Sequence, residues 1–220
     1  MIVMKGTKAA PVHNVTIGPG LQFRDNRPTC KHRQQHALLH HMPLLRVFAP
    51  SDCPNTMDFM LNLMNFILAD MEARTNPSGG DWSLERQGAV LLEGCVGCEI
   101  TGNSFHHLDT NAVFLSGFNR DTKIIKNEFV WLGQNAIASW GYLDNETQTS
   151  MTNSGLGGLQ PRGTVIDGNY VHEIGHIQKQ SSFYFQAITA QTTIQNNVVF
   201  NIPRAGINFN DGCACASRQH

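Results

Sequence analysis

The chain has 220 residues, is 41% hydrophobic and 15% charged, and carries a formal net charge of -1, a globular composition long enough to bury a sizeable core. Its near-zero charge gives no electrostatic case for nucleic acid or an anionic membrane surface. No run approaches the ~18 uninterrupted apolar residues of a membrane span, and MIVMKGTKAAPVHN lacks the apolar centre of a secretory signal peptide.

In chain order, the first element is a strand-like string from Val12 to Asp25, in which Val15, Ile17, Leu21 and Phe23 are apolar. It predicts an N-terminal coil over residues 1–29. Over 30–76 this pattern vanishes. Pro43 and Pro50 interrupt a short helical stretch, and Asn55 and Thr56 suit the cap of a helix reaching Arg74, with Phe59, Leu63, Ile67 and Met71 on one face. The stretch is therefore read as a helical insertion. Within it, His32, His36 and His40 have a spacing that aligns them on a helix. With nothing to orient three metal ligands, they read as a histidine-rich surface.

From 77 to 212 the chain repeats itself. Aligning Asn103, Asn127, Asn169 and Asn197 puts Ile100, Ile124, Ile166 and Ile194 in one column. Phe105, Phe129, Val171 and Val199 form a second, and Leu108, Leu132, Ile174 and Ile202 a third. The first step of 24 residues suits one coil of short strands separated by bends. A long loop from Asp144 to Arg162 explains why the step from Asn127 to Asn169 is 42. Asparagine tolerates left-handed bends and can hydrogen-bond locally, so stacked coils predict an internal ladder of carboxamides.

Each coil opens on a related string: GAVLLEG, NAVFLSG, NAIASWG, SFYFQA and AGINFND. Side chains alternate along a strand. One face is expected to hold Val90, Leu92, Val113, Leu115, Ile137, Ser139, Phe183, Phe185, Ile207 and Phe209 as core. The opposite face is then expected to carry two columns, Leu91, Phe114, Ala138, Tyr184 and Asn208 beside Glu93, Ser116, Trp140, Gln186 and Asn210.

With these columns the chain resembles the right-handed parallel β-helix of the pectin-lyase-like proteins, best over Gly79 to Gly212. GGDWSLERQGAVLLEG, NAVFLSGFNRD, NAIASWGY, KQSSFYFQA and AGINFNDG are similar to a branch that includes glycoside hydrolases. The resemblance implies an all-β solenoid of about five coils, a polysaccharide or glycan partner in a groove on one sheet face, and an extracellular setting. It implies no cofactor. The fold also hosts lyases, epimerases, adhesins and tailspikes, so it does not itself define an activity.

In that groove, Trp140 and Tyr184 are the expected stacking platforms for sugar rings, and Gln186, Asn208 and Asn210 the readers of hydroxyls. Hydrolysis needs two carboxylates about 5–5.5 Å apart for retention or roughly 6.5–9.5 Å for inversion. The candidate acids are Glu93, Asp109 and Asp211. Glu93 and Asp211 stand about four rungs apart, roughly 20 Å, and cannot serve one bond. Asp109 and Arg86 occupy equivalent bends, which predicts an ion pair between rungs. For a lyase, Lys179 and Arg204 are the candidate cations near the groove end. The alternative of another class is a non-catalytic glycan-binding or structural solenoid.

Three further features are weighed. His172-Glu173-Ile174-Gly175-His176 matches the H-E-x-x-H of zinc proteases, yet Ile174 falls in an apolar column, so the string lies on a coil rather than a helix. Cys95 and Cys98 have C-x-x-C spacing without a second knuckle and read as a turn with buried thiols. After Gly212, the tail CACASRQH at 213–220 carries no strand pattern, which predicts a truncated chain.

Overall fold

The computed structural model describes residues 2–24, 46–47, 86–142 and 158–209. These residues are all β, with no helix among them. The first circuit of the chain runs through β1 (Ile2–Lys5), β2 (Val12–His13), β3 (Thr16–Ile17) and β4 (Gln22–Arg24), followed by β5 (Arg46–Val47). The second comprises β6 (Val90–Val96), β7 (Glu99–Thr101) and β8 (Ser104–Leu108). The third comprises β9 (Val113–Arg120), β10 (Lys123–Ile125) and β11 (Glu128–Leu132). The fourth has β12 (Ile137–Trp140), β13 (Pro161–Arg162), β14 (Val165–Asp167) and β15 (Tyr170–His172). The fifth has β16 (Tyr184–Ala187), β17 (Thr193–Gln195) and β18 (Val198–Phe200), and β19 (Ile207–Phe209) opens a sixth.

Successive circuits stack into three sheets. Sheet A runs β19-β16-β12-β9-β6-β1-β5, with β2 and β13 attached; sheet B runs β17-β14-β10-β7-β3, and sheet C β18-β15-β11-β8-β4. Every pairing is parallel except the antiparallel contact of β5 with β1. The predicted helical insertion, apart from the strand pair Arg46–Val47, lies outside the described residues, as do the Asp144 side of the long loop and the tail. No helix among the described residues is long and apolar enough to cross a membrane.

The bends recur at left-handed residues. Gly97, Asp121, Gly163 and Gln191 lie before sheet B, Gly102, Lys126, Gly168 and Asn196 between B and C, and His107, Trp131, Glu173 and Asn201 at the end of C, all with φ between 48° and 71°. Such geometry costs an ordinary side chain about 1–2 kcal/mol, offset here because each bend returns the next strand to its register. At Gly94 a side chain is impossible: a Cβ would stand 2.2 Å from the Gly6 carbonyl carbon.

Inside, the predicted columns stack in register. Ile100, Ile124, Ile166 and Ile194 pair in sequence along sheet B, and the first three are fully buried. Phe23, Phe105 and Phe129 form an aromatic stack, with centroids 4.6 and 4.9 Å apart, followed by Val171 and Val199. The first circuit holds one extra residue between Ile17 and Phe23, around Gly18-Pro19-Gly20; Ile17 still pairs with Ile100 and Phe23 with Phe105, while Leu21 is turned out to solvent.

The asparagine ladder is continuous. Asn103 Nδ2 donates to Asn127 Oδ1 (3.2 Å), Asn127 Nδ2 to Asn169 Oδ1 (3.1 Å) and Asn169 Nδ2 to Asn197 Oδ1 (2.9 Å). Each acceptor oxygen also takes the main-chain N–H of the preceding asparagine. A second ladder, at the bend from sheet C into sheet A, runs in the opposite sense. Asn135 donates its N–H and Nδ2 back to Asn111 Oδ1 (3.1 and 2.8 Å), and the Ser182 N–H donates to Asn135 Oδ1 (2.8 Å).

Sheet A is apolar on both faces. Val90, Leu92, Val113, Leu115 and Ile137 belong to the interior core, while Val3, Leu91, Phe114, Ala138, Trp140, Phe185, Ala187 and Ile188 form a second buried cluster. The assignment of β16, in the fifth circuit, is corrected here. Tyr184 pairs with Ile137 and Ile207 in an interior column, Phe185 with Ala138 and Asn208 on the outer face, and Gln186 with Ser139 and Phe209 inside. Tyr184 and Gln186 are buried, so neither is a groove residue.

Candidate functional site

The expected groove column on sheet A begins as predicted, with Glu93 beside Ser116 and Ser116 beside Trp140, but the next residue is Ala187. Trp140 is only 3% exposed. The Arg86 guanidinium is wedged between two rings, 4.3 Å from the Trp140 centroid and 4.2 Å from that of Tyr142. It donates to the carbonyls of Trp140 (2.7 Å) and Gly141 (2.9 Å) and to Ser116 Oγ (3.3 Å). The Tyr142 hydroxyl donates to Glu93 Oε1 (3.1 Å) and lies 2.7 Å from Ser116 Oγ. A cation between two rings with its N–H groups on carbonyls clamps the end of β12. Trp140 is thus covered rather than offered to a sugar.

The other predicted groove residues lie elsewhere. Asp109 precedes β9 by four residues, Lys179 precedes β16 by five and Arg204 precedes β19 by three, so all three stand where the chain enters sheet A. Lys179 is exposed, and Arg204 is hydrogen-bonded to Gln180. Glu93, paired with Ser116, is three residues beyond Val113 along the strand direction, about 10 Å. Glu93 and Asp109 therefore stand at opposite ends of the sheet A strands, and the Glu93 carboxylate accepts from the Tyr142 hydroxyl. Asn208 is on the outer face, half-buried. Asn210 and Asp211 lie outside the described residues.

The open aromatic surface is on the outside of sheet C, where no groove was expected. Trp131 (48% exposed), Tyr170 (43%) and Phe200 (39%) are presented there. The His107, Trp131 and His176 rings form a column, with centroids 6.2 and 5.0 Å apart. Beside it, His172 stacks on Phe200 at 5.0 Å, and Tyr170 meets both at about 60° (5.0 and 5.6 Å). Left-handed geometry at His107, Trp131 and Glu173 turns outward residues that strict alternation would bury. Polar groups border the rings: Ser104 donates to Glu128 (2.9 Å), and Glu173 is bonded to His172 and accepts from Asn201 Nδ2 (2.8 Å). The Asn201 and His172 hydrogen bonds hold the Glu173 carboxyl below the ordinary carboxylate range. The signal available in sequence was the fourth residue after each ladder asparagine, read as His, Trp, Glu, Asn.

The H-E-x-x-H string lies on β15 and the bend after it, not on a helix. Its imidazoles are engaged apart, His172 against Phe200 and His176 against Trp131. Among the described residues no three metal-ligating side chains converge. Cys95 and Cys98 are free thiols, both fully buried. Their mutual hydrogen bond, together with burial, pushes Cys95 up, and the same bond draws Cys98 down to about 6.

In comparisons with known proteins, the chain matches no family model, no curated protein and no solved structure.

Proposed function

We propose that this chain is a right-handed parallel β-helix of the pectin-lyase-like kind and that it binds glycan, non-catalytically, on the outer face of sheet C. The three parallel sheets visited in turn by each circuit support the fold reading. The observation that carries the function is the exposed set Trp131, Tyr170 and Phe200, bordered by imidazoles, carboxylates and the Asn201 amide. Sugar rings have apolar faces that rest on aromatic rings and hydroxyl edges that need donors and acceptors. Tyr170, inclined to its neighbours, is the platform; Glu128, Glu173 and Asn201 read hydroxyls. Binding rather than hydrolysis is favoured because Glu93 is engaged by the Tyr142 hydroxyl at the far end of the sheet A strands from Asp109, and neither acid lies on the sheet C strands that carry the exposed rings.

The test is affinity electrophoresis against neutral and acidic polysaccharides, with release of reducing ends followed in parallel. Retardation by at least one polysaccharide, lost in Tyr170→Ala and Trp131→Ala and accompanied by no new reducing ends, is expected. Unretarded wild-type protein, or variants retarded as strongly as wild type, would overturn the proposal. New reducing ends would make it an enzyme.

A further inference from the structure

The outer surface of sheet C carries, on β8 and the bend after it, two consecutive histidines whose rings meet. His106 lies on β8 and faces outward beside Arg24 and Val130 of the adjoining circuits. A regular strand would send the next side chain into the core. His107 instead has φ of 53°, which brings it out on the same side. The two rings are at 89° to each other, and the Nδ1 atoms are 3.1 Å apart. Trp131 stacks behind His107 and fixes its plane.

We infer that His106 and His107 together form a binding site for a borderline divalent cation such as Cu(II), Ni(II) or Zn(II). The argument is geometric. An ion about 2.0–2.1 Å from both nitrogens, separated as they are, subtends an angle of about 95–102°, between the square and tetrahedral ideals and strained toward neither. Neutral imidazole carries a single ring proton. At 3.1 Å the two Nδ1 atoms share a hydrogen bond, one donating to the other; binding moves that proton to Nε2, so that two Nδ1 lone pairs face the ion and replace two of its waters with no net loss of a proton. Imidazole suits these metals, Cu(II) most tightly. Two protein ligands leave the remaining positions to water, so the ion exchanges readily. The site does not depend on glycan binding, since the metal alone is the probe.

The test uses the full chain and residue-specific readouts, because eight of the chain's 10 histidines lie elsewhere, among them the cluster His32, His36, His40 and His41, and offer other imidazoles. In heteronuclear NMR spectra, substoichiometric Cu(II) is expected to broaden the His106 and His107 imidazole signals and the Trp131 indole signal first. In a background with His32, His36, His40 and His41 changed to glutamine, calorimetry with Ni(II) is expected to show one site per chain. His106→Gln or His107→Gln weakens it at least tenfold, and His13→Gln leaves it unchanged. Broadening that spares His106 and His107, or an affinity insensitive to both substitutions, overturns the inference. If either variant loses its near-ultraviolet circular dichroism, the Cu(II) broadening in the unsubstituted chain decides alone.

Discussion

Asn127 makes four side-chain hydrogen bonds in the middle of the main carboxamide ladder, and replacing it by alanine tests whether the ladder stabilises the stack. Its Oδ1 accepts from Asn103 N (3.0 Å) and Asn103 Nδ2 (3.2 Å), and its Nδ2 donates to Ile100 O (2.9 Å) and Asn169 Oδ1 (3.1 Å). In Asn127→Ala the Asn103 main-chain N–H is left buried without this acceptor, at about 1–3 kcal/mol; the other three bonds contribute about 0.5–1.5 kcal/mol each. Asn103 Nδ2 keeps Ile17 O, and Asn169 Oδ1 keeps the residue 127 N–H, which limits the loss. The expected destabilisation is about 3–5 kcal/mol, a large part of a typical domain's 5–15 kcal/mol. Urea unfolding of wild type, Asn127→Ala, Asn103→Ala and the double variant would measure it, with a coupling between the two sites of at least about 1 kcal/mol. A loss below about 1 kcal/mol at an unchanged denaturant slope would refute the reasoning.

Two other outcomes follow from side chains at opposite extremes of burial. Ser139 is fully buried in the interior column, its Oγ without a hydrogen-bond partner, so Ser139→Ala should stabilise the chain by about 1 kcal/mol in the same unfolding assay; a loss would mean that the hydroxyl is satisfied. Because the folded Glu173 carboxyl titrates below its unfolded value, its contribution to stability is present above the ordinary carboxylate range and is lost as pH falls through the folded value. Carbon-detected NMR titration should show the Glu173 midpoint rising in Asn201→Gly, which removes the carboxamide and keeps the left-handed bend; an unmoved midpoint would assign the shift elsewhere.

The columns of sheets B and C were legible in the sequence because those strands are buried on one face only. Ile100, Ile124, Ile166 and Ile194 therefore each have at least one polar neighbour on the strand, and the asparagines mark each bend. Sheet A defeated the same reading at β16. Phe183, Tyr184 and Phe185 are all buried, since both faces are covered, and a strand of that kind reads as an unbroken apolar run rather than an alternation. The register was consequently shifted by one, and one slip moves every side chain to the other face. It sent Tyr184 and Gln186 to a groove when they belong to the core. The exposed rings of sheet C were missed for a different reason: His107, Trp131 and Glu173 adopt the left-handed bend, which composition does not signal in such residues.

The stretch between Arg24 and Arg86 departs after the first circuit, yet Ile2 still pairs with Val90 and Phe23 with Phe105 across that junction. Neighbouring storeys are therefore held by their own contacts and not by the brevity of the link joining them. Foreign segments spliced at this corner should leave the scaffold standing, which makes it a natural position for displaying a reporter or an epitope.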